Sequence, residues 1–173
     1  RSTLFPYTTL FRSLYVENQI GVLAKISGLF AGKSYNLDTL TVGETEDPTV
    51  SRMTIEMTMD DVTFEQVKKQ LNRNVVVIKV MDFSDIPIQK TELLYIKIHS
   101  CTEKDKTEIF RIVNSFDHLE IADYGKKTVI VRYVETEGKV NDIIELFNKT
   151  FINRIEVVRG GSVAIESVST TTK

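Results

Sequence analysis

The feature that most constrains this chain is that it states one pattern twice. From Leu14 onward the hydrophobic periodicity runs strand, helix, strand, strand, helix, strand, and the same order returns after a proline-containing break. In the first copy, Leu14 to Glu17 reads as a strand. Val22, Leu23, Ile26, Leu29 and Phe30 then recur at helical spacing between about Gly21 and Lys33. Leu37 to Val42 is the second strand and GETEDPT a turn; Ser51 to Met59 places Met53, Ile55, Met57 and Met59 on one side, as a half-buried strand does. Thr63 with Gln66 supplies a capping-box start for a short helix carrying Phe64, Val67 and Leu71, and VVVIKVMDF closes the unit.

Between Phe83 and Lys90 the sequence FSDIPIQK reads as a linker, because Pro87 cannot donate to a continuing ladder. The second copy has Leu93 to Ile98 as a strand and Glu103 to Phe116 as a helix with Ile109, Phe110, Val113 and Phe116 on its apolar face. Strands at Leu119 to Tyr124 and Thr128 to Val134 are joined at Gly125; Val140 to Phe147 is the second helix, and Ile155 to Arg159 the last strand before a polar STTTK tail. Two βαββαβ units predict an α+β chain of two tandem ferredoxin-like domains, residues 14–86 and 87–173, each an antiparallel sheet with two helices on one face. Units of roughly 70 residues sit near the lower size at which a core sustains itself, so oligomerisation is expected.

Residues 1–13, RSTLFPYTTLFRS, have no helical period and carry Pro6 in their middle. They resemble the translation of a sequencing-adapter oligonucleotide and are set aside as a construction or assembly artefact, which would leave the native start of the first strand missing or overwritten.

Charge is nearly balanced, 22 basic against 24 acidic residues, which gives no field for nucleic acid or an anionic membrane. RNA-recognition modules share this strand order, but they display clustered aromatics on a basic sheet, and TVIVRYV and LLYIKI offer only scattered tyrosines. Catalytic and metal sites are not expected. The two histidines are His99 and His118, and His99 with Cys101 in IHSC falls short of the four ligands a zinc site needs. Asp60 and Asp61 read as turn residues, and no phosphate loop or Ser-His-Asp order is present. One cysteine, no signal peptide and no apolar run near the roughly 20 residues that span a bilayer predict a cytoplasmic protein without a membrane partner.

The junction VENQIGVLAKISGLF remains, where strand passes into helix through Asn18, Gln19 and Gly21. A helix N-terminus presents unpaired N–H groups and the positive end of the peptide dipoles, which suits a carboxylate or phosphate. Glycine leaves that backbone open to approach, and the Asn18 amide both donates and accepts, so together they suit a zwitterion. SYNLDTL places Asn36 at the other end of the same helix, and each residue also has a plainer reading: Asn18 as a helix cap, Asn36 as a left-handed helix end, Gly21 as a tight turn. On the other side of the helix Ala24, Gly28 and Ala31 align, and an interior glycine, costly by about 1 kcal/mol, fits close packing of a neighbouring subunit.

ENQIGVLAKISGLFAGKSYNLDTLTVG followed by DPTVSRMTI resembles the small, regulatory subunits of acetolactate synthase, whose first half is an ACT domain. The resemblance covers Leu14 to about Ser167. It implies that two ACT domains pair into a homodimer and hold valine, or leucine or isoleucine in its place, between two chains. By position, Asn18 and the backbone from Gln19 to Leu23 would hold the amino acid's polar end, Asn36 would reach from across the dimer, and Ile20, Val22 and Leu37 would line the apolar pocket. Many relatives have proline at the position of Ile20 and glycine at that of Ser34. The resemblance further implies a large catalytic subunit as partner, using thiamine diphosphate, Mg and FAD, with no cofactor on this chain, and a role in feedback inhibition of branched-chain amino acid biosynthesis. The competing expectation is an ACT-type sensor of a different enzyme or of a transcriptional circuit, though no basic helix-turn-helix extension is present.

Overall fold

The computed structural model describes residues 8–31, 37–83 and 86–168. The chain divides into two compact units, Arg1–Gln89 with Val163–Lys173, and Lys90–Ser162. The end of the chain thus groups with the first unit.

The first unit is β1 (Thr8–Glu17), α1 (Val22–Ala31), β2 (Thr39–Glu44), β3 (Val50–Met59), α2 (Asp61–Asn72) and β4 (Val77–Asp82), with the sheet ordered β2-β3-β1-β4 and every pairing antiparallel. Its core is one cluster: Leu14 and Val16 from β1, Met53, Ile55, Met57 and Met59 from β3, Val22, Ile26 and Phe30 from α1, Val67 and Leu71 from α2. Period two on the strands and near four on the helices bring these side chains to one layer, as the sequence pattern requires. α1 is described as far as Ala31, and its expected end near Lys33 lies outside the described residues; Leu23 is 47% exposed, off the apolar face assigned to it. The start of α2 also differs from expectation. Asp60 is the N-cap, accepting from the Thr63 amide at 2.9 Å and its hydroxyl at 2.8 Å, because a carboxylate one turn upstream reaches the free amides of the first turn. Those two bonds hold the Asp60 carboxyl below its ordinary pKa.

Two strand expectations are corrected by β1 and β3. β1 begins at Thr8 instead of Leu14, so Thr8 to Ser13 lie opposite Thr54 to Met59; ladder bonds are made by backbone and do not ask for a particular sequence. β3 is not half-buried. Thr54 and Glu56, on the face away from the methionines, are 3% and 2% exposed. β3 is an inner strand of the sheet, and Arg52 beside them donates to the Ala164 carbonyl at 2.8 Å, which fixes a late segment of the chain over that face.

The second unit repeats the order with β5 (Ile88–Ile98), α3 (Glu103–Val113), β6 (Leu119–Tyr124), β7 (Val129–Glu135), α4 (Glu137–Thr150) and β8 (Ile155–Glu166), its sheet ordered β6-β7-β5-β8. Leu94, Ile96 and Ile98 meet Ile109, Ile112, Val140, Ile143 and Phe147 in its core. α3 stops at Val113, and Phe110 and Phe116 are 44% and 39% exposed instead of buried; Phe110 lies beside the Tyr124 ring at 5.8 Å. β8 runs past its expected end at Arg159 as far as Glu166. The chain is therefore α+β, two ferredoxin-like βαββαβ modules in tandem. No described helix is long and apolar enough to cross a membrane.

Candidate effector site

At the end of β1 the ladder hands over to a turn. Glu17 still donates its amide to the Val76 carbonyl at 3.0 Å, while the next amide, of Asn18, goes to Thr49 at 2.8 Å. The Asn18 side chain donates from Nδ2 to the Pro48 carbonyl at 2.9 Å. Asn18 is therefore no helix cap: its donors are given to the turn between β2 and β3.

Gln19 to Val22 forms a tight turn, closed by the Val22 amide on the Gln19 carbonyl at 3.3 Å, with Gly21 at φ +84°. A left-handed third residue is the mark of a type II turn, whose second position favours proline; Ile20 occupies that position here. Glycine is needed for its φ and not for space, since a Cβ on Gly21 would meet nothing within 4 Å. In the first turn of α1 the Lys25 amide bonds the Gly21 carbonyl at 3.0 Å, and the Leu23 and Ala24 amides have no acceptor among the described residues. No acidic side chain sits in that first turn. The junction thus presents two free N–H groups at the positive end of a helix, the carbonyl oxygen of the Asn18 amide, and a fully exposed Ile20.

The remaining expected residues are placed as follows. The Val22 side chain is 4% exposed within the first core, so its backbone and not its side chain faces the junction. Leu37 packs against the same core. Asn36 lies outside the described residues. Ala24, Gly28 and Ala31 are all exposed, and a Cβ on Gly28 would also meet nothing within 4 Å, so within one chain this stripe of α1 is uncovered. Sequence reasoning missed the Asp47-Pro48-Thr49 turn, read only as a break between strands; an Asp two residues before a Thr is the signal that could have exposed it.

The second unit gathers no chemistry of this kind. Ser100, at φ 54°, ends the alternation of β5, so Cys101 turns into the core and does not share a face with His99. Its thiol donates to the Ile98 carbonyl at 3.4 Å, and burial pushes its pKa up. No group of three or more His, Cys, Asp or Glu among the described residues could hold a metal. An open groove of ≈ 540 Å³ lined by Leu93, Tyr95, His118, Glu120, Arg132 and Val134 lies over the sheet, but its polar groups answer one another: Arg132 pairs with Glu120 at 2.5 Å and His118 lies 3.4 Å from Glu135.

The first module and its junction are those of an ACT domain: residues 13–79 match the family model of the AHAS small subunit-like ACT domain. Residues 91–168 match the model of the small subunit of acetolactate synthase. The chain is 40% identical over 150 residues to the acetolactate synthase small subunit of Aquifex aeolicus, covering 87% of this chain and 77% of that one. It is 35% identical over 166 residues to the probable acetolactate synthase small subunit of Methanothermobacter thermautotrophicus, covering 96% of each. The crystal structure of the Thermotoga maritima acetolactate synthase small subunit superposes with a TM-score of 0.82 at 32% identity, covering 92% of this chain and 98% of that one. The chain belongs to the acetolactate synthase small-subunit family.

Proposed function

We propose that this chain is a non-catalytic regulatory subunit of acetolactate synthase, which activates a separate large catalytic subunit and confers feedback inhibition by valine. The observation that carries the effector reading is the junction after β1, where the free Leu23 and Ala24 amides and the Asn18 carbonyl oxygen lie at one helix end beside exposed Ile20. Amides at a helix N-terminus suit the carboxylate of an amino acid, and an amide oxygen suits its ammonium. A second copy of the chain completes the site in this reading, with Asn36 reaching across and the Ala24, Gly28 and Ala31 stripe packed at the interface. The partner carries thiamine diphosphate, Mg and FAD, and this chain supplies the regulation. Ligand occupancy then favours one dimer arrangement over another, and a coupling of about 1–3 kcal/mol is enough for a useful response.

Calorimetric titration with valine, leucine, isoleucine and serine tests the reading, with Asn18→Ala as control. The expected result is selective binding of valine that Asn18→Ala abolishes. With the catalytic subunit present, Asn18→Ala and Gly21→Asp should remove inhibition and spare activation. Loss of activation in the same variants would show that the junction holds the assembly together and does not sense a ligand.

A further inference from the structure

We propose that Asp47 is a positioning residue for this site: it folds the turn between β2 and β3 whose carbonyls fix the orientation of the Asn18 amide. The inference rests on reading the junction as an effector site. Asp47 Oδ1 accepts the Thr49 amide at 2.9 Å and the Thr49 hydroxyl at 2.7 Å. Its backbone carbonyl accepts the Val50 amide at 2.9 Å and the Thr45 hydroxyl at 3.1 Å, and its amide donates to that same hydroxyl oxygen at 3.2 Å. Asp47 is the hub of the turn.

Two carbonyls leave this turn toward β1. Thr49 O takes the Asn18 backbone amide at 2.8 Å, and Pro48 O takes Asn18 Nδ2 at 2.9 Å. Thr49 is thereby held from both sides, its N–H and hydroxyl by Asp47 and its C=O by Asn18. The second bond decides the chemistry of recognition. A carbonyl can only accept, so Pro48 compels Asn18 to turn its NH2 group to the protein and to present Oδ1 on the opposite side of the amide. Asn18 is then an acceptor for the ligand's ammonium, and the carboxylate is left to the helix amides. Without the Asp47 carboxylate, Thr49 and Pro48 lose their anchor and the amide loses the bond that selects this orientation.

The experiment uses the full chain with Asp47→Ala and Asp47→Asn, and reads three quantities: valine affinity by calorimetry, thermal unfolding, and the side-chain amide resonances of Asn18 by NMR without ligand. The loss of the two hydrogen bonds to the exposed Asp47 carboxylate that order the site predicts affinity weaker by about tenfold in Asp47→Ala. Asp47→Asn, whose carbonyl oxygen still accepts the Thr49 amide, should stay within about threefold of the parent. The Asn18 amide resonances should shift in Asp47→Ala and not in Asp47→Asn. Unchanged affinity in Asp47→Ala overturns the proposal. So does a loss that Asp47→Asn fails to rescue and that tracks a fall in unfolding temperature, since that is a structural role alone. If the parent protein binds no valine, the effector reading falls by itself and the amide resonances still decide: a shift confined to Asp47→Ala supports positioning, and unshifted resonances refute it.

Discussion

The two glycines Gly21, in the turn before α1, and Gly28, within it, should respond to alanine with opposite sign. Gly21 holds φ +84°, a region that costs an L-residue about 1–2 kcal/mol, and no steric term adds to this because the space around its Cβ position is open. Gly28 sits inside α1 with ordinary helical backbone and equally open surroundings, where alanine gains about 0.5–1 kcal/mol by restricting the unfolded chain. For a unit of this size 1 kcal/mol corresponds to roughly 4–8 °C, so Gly21→Ala should lower the unfolding temperature of the first unit by about 4–16 °C and Gly28→Ala raise it by about 2–8 °C. Calorimetric scans on dilute protein measure both. Gly21→Ala at or above the parent temperature would refute the argument from backbone conformation. Repeating the scans at high concentration adds a second test, because a subunit seated on the Ala24, Gly28 and Ala31 stripe has no room for the added methyl group. The gain from Gly28→Ala should then shrink or reverse as the protein associates.

Two predictions concern the second unit. The Glu135 carboxyl is held down to about 2 from its ordinary 4.5, first by the Lys139 ammonium at 2.7 Å and then by the Thr136 amide at 2.9 Å and His118. A folded-state pKa below the unfolded one contributes stability above the unfolded value, and that contribution is lost as the pH falls from 4.5 toward about 2. Glu135→Gln should therefore flatten the acid limb of the stability curve in that window and leave the neutral limb in shape; an unchanged acid slope would count against it. Glu92 is fully buried and bridged by Arg159 through two bonds of 2.7 Å, with Asn141 taking a third guanidinium bond at 2.9 Å. Arg159→Ala leaves the carboxylate uncompensated and should cost about 3 kcal/mol in urea unfolding, the lower part of the range for broken buried pairs because Arg159 is itself 37% exposed. A loss under about 1 kcal/mol would show that water takes the place of the guanidinium.

The fold was legible because both units carry the same periodicity, and a strand such as Met53 to Met59 cannot place its methionines elsewhere than on one face. What the pattern could not show were contacts made by distant parts of the chain. Thr54 and Glu56 read as solvent-facing, and the segment that Arg52 fixes over their face lies 112 residues further along. Phe110 read as core by size and spacing, but Ile109 and Ile112 hold that face of α3 and the ring rests beside Tyr124. At the site, Gly21 could be singled out locally, since a glycine between a strand and a helix marks a special φ. The role of Asn18 could not: its partners Pro48 and Thr49 are brought to it only by the pairing of β1 with β3, in which Glu17 lies opposite Val50.

That partition also says what a single chain lacks. Val22 and Leu37 give their side chains to the core and Ile20 stands fully exposed, so a valine side chain set on this junction is left largely open to solvent among the described residues. Complete burial of such a side chain is worth about 1.5–3 kcal/mol, and most of that is forfeited unless a second surface closes over it. If the second surface is another copy of this chain, two-fold symmetry creates two equivalent sites, and ligand binding and association become one linked equilibrium. A ligand that binds only the dimer, present at 100 times its dissociation constant, stabilises the dimer by about 2.7 kcal/mol per site, or about 10⁴-fold in the dimer dissociation constant over two sites. Sedimentation velocity across a dilution series, with and without saturating valine, should show that shift, and Asn18→Ala should erase it. Valine bound one per chain, with the association constant unchanged, would mean that the junction is complete in a single subunit and that the Ala24, Gly28 and Ala31 stripe serves something other than the effector site.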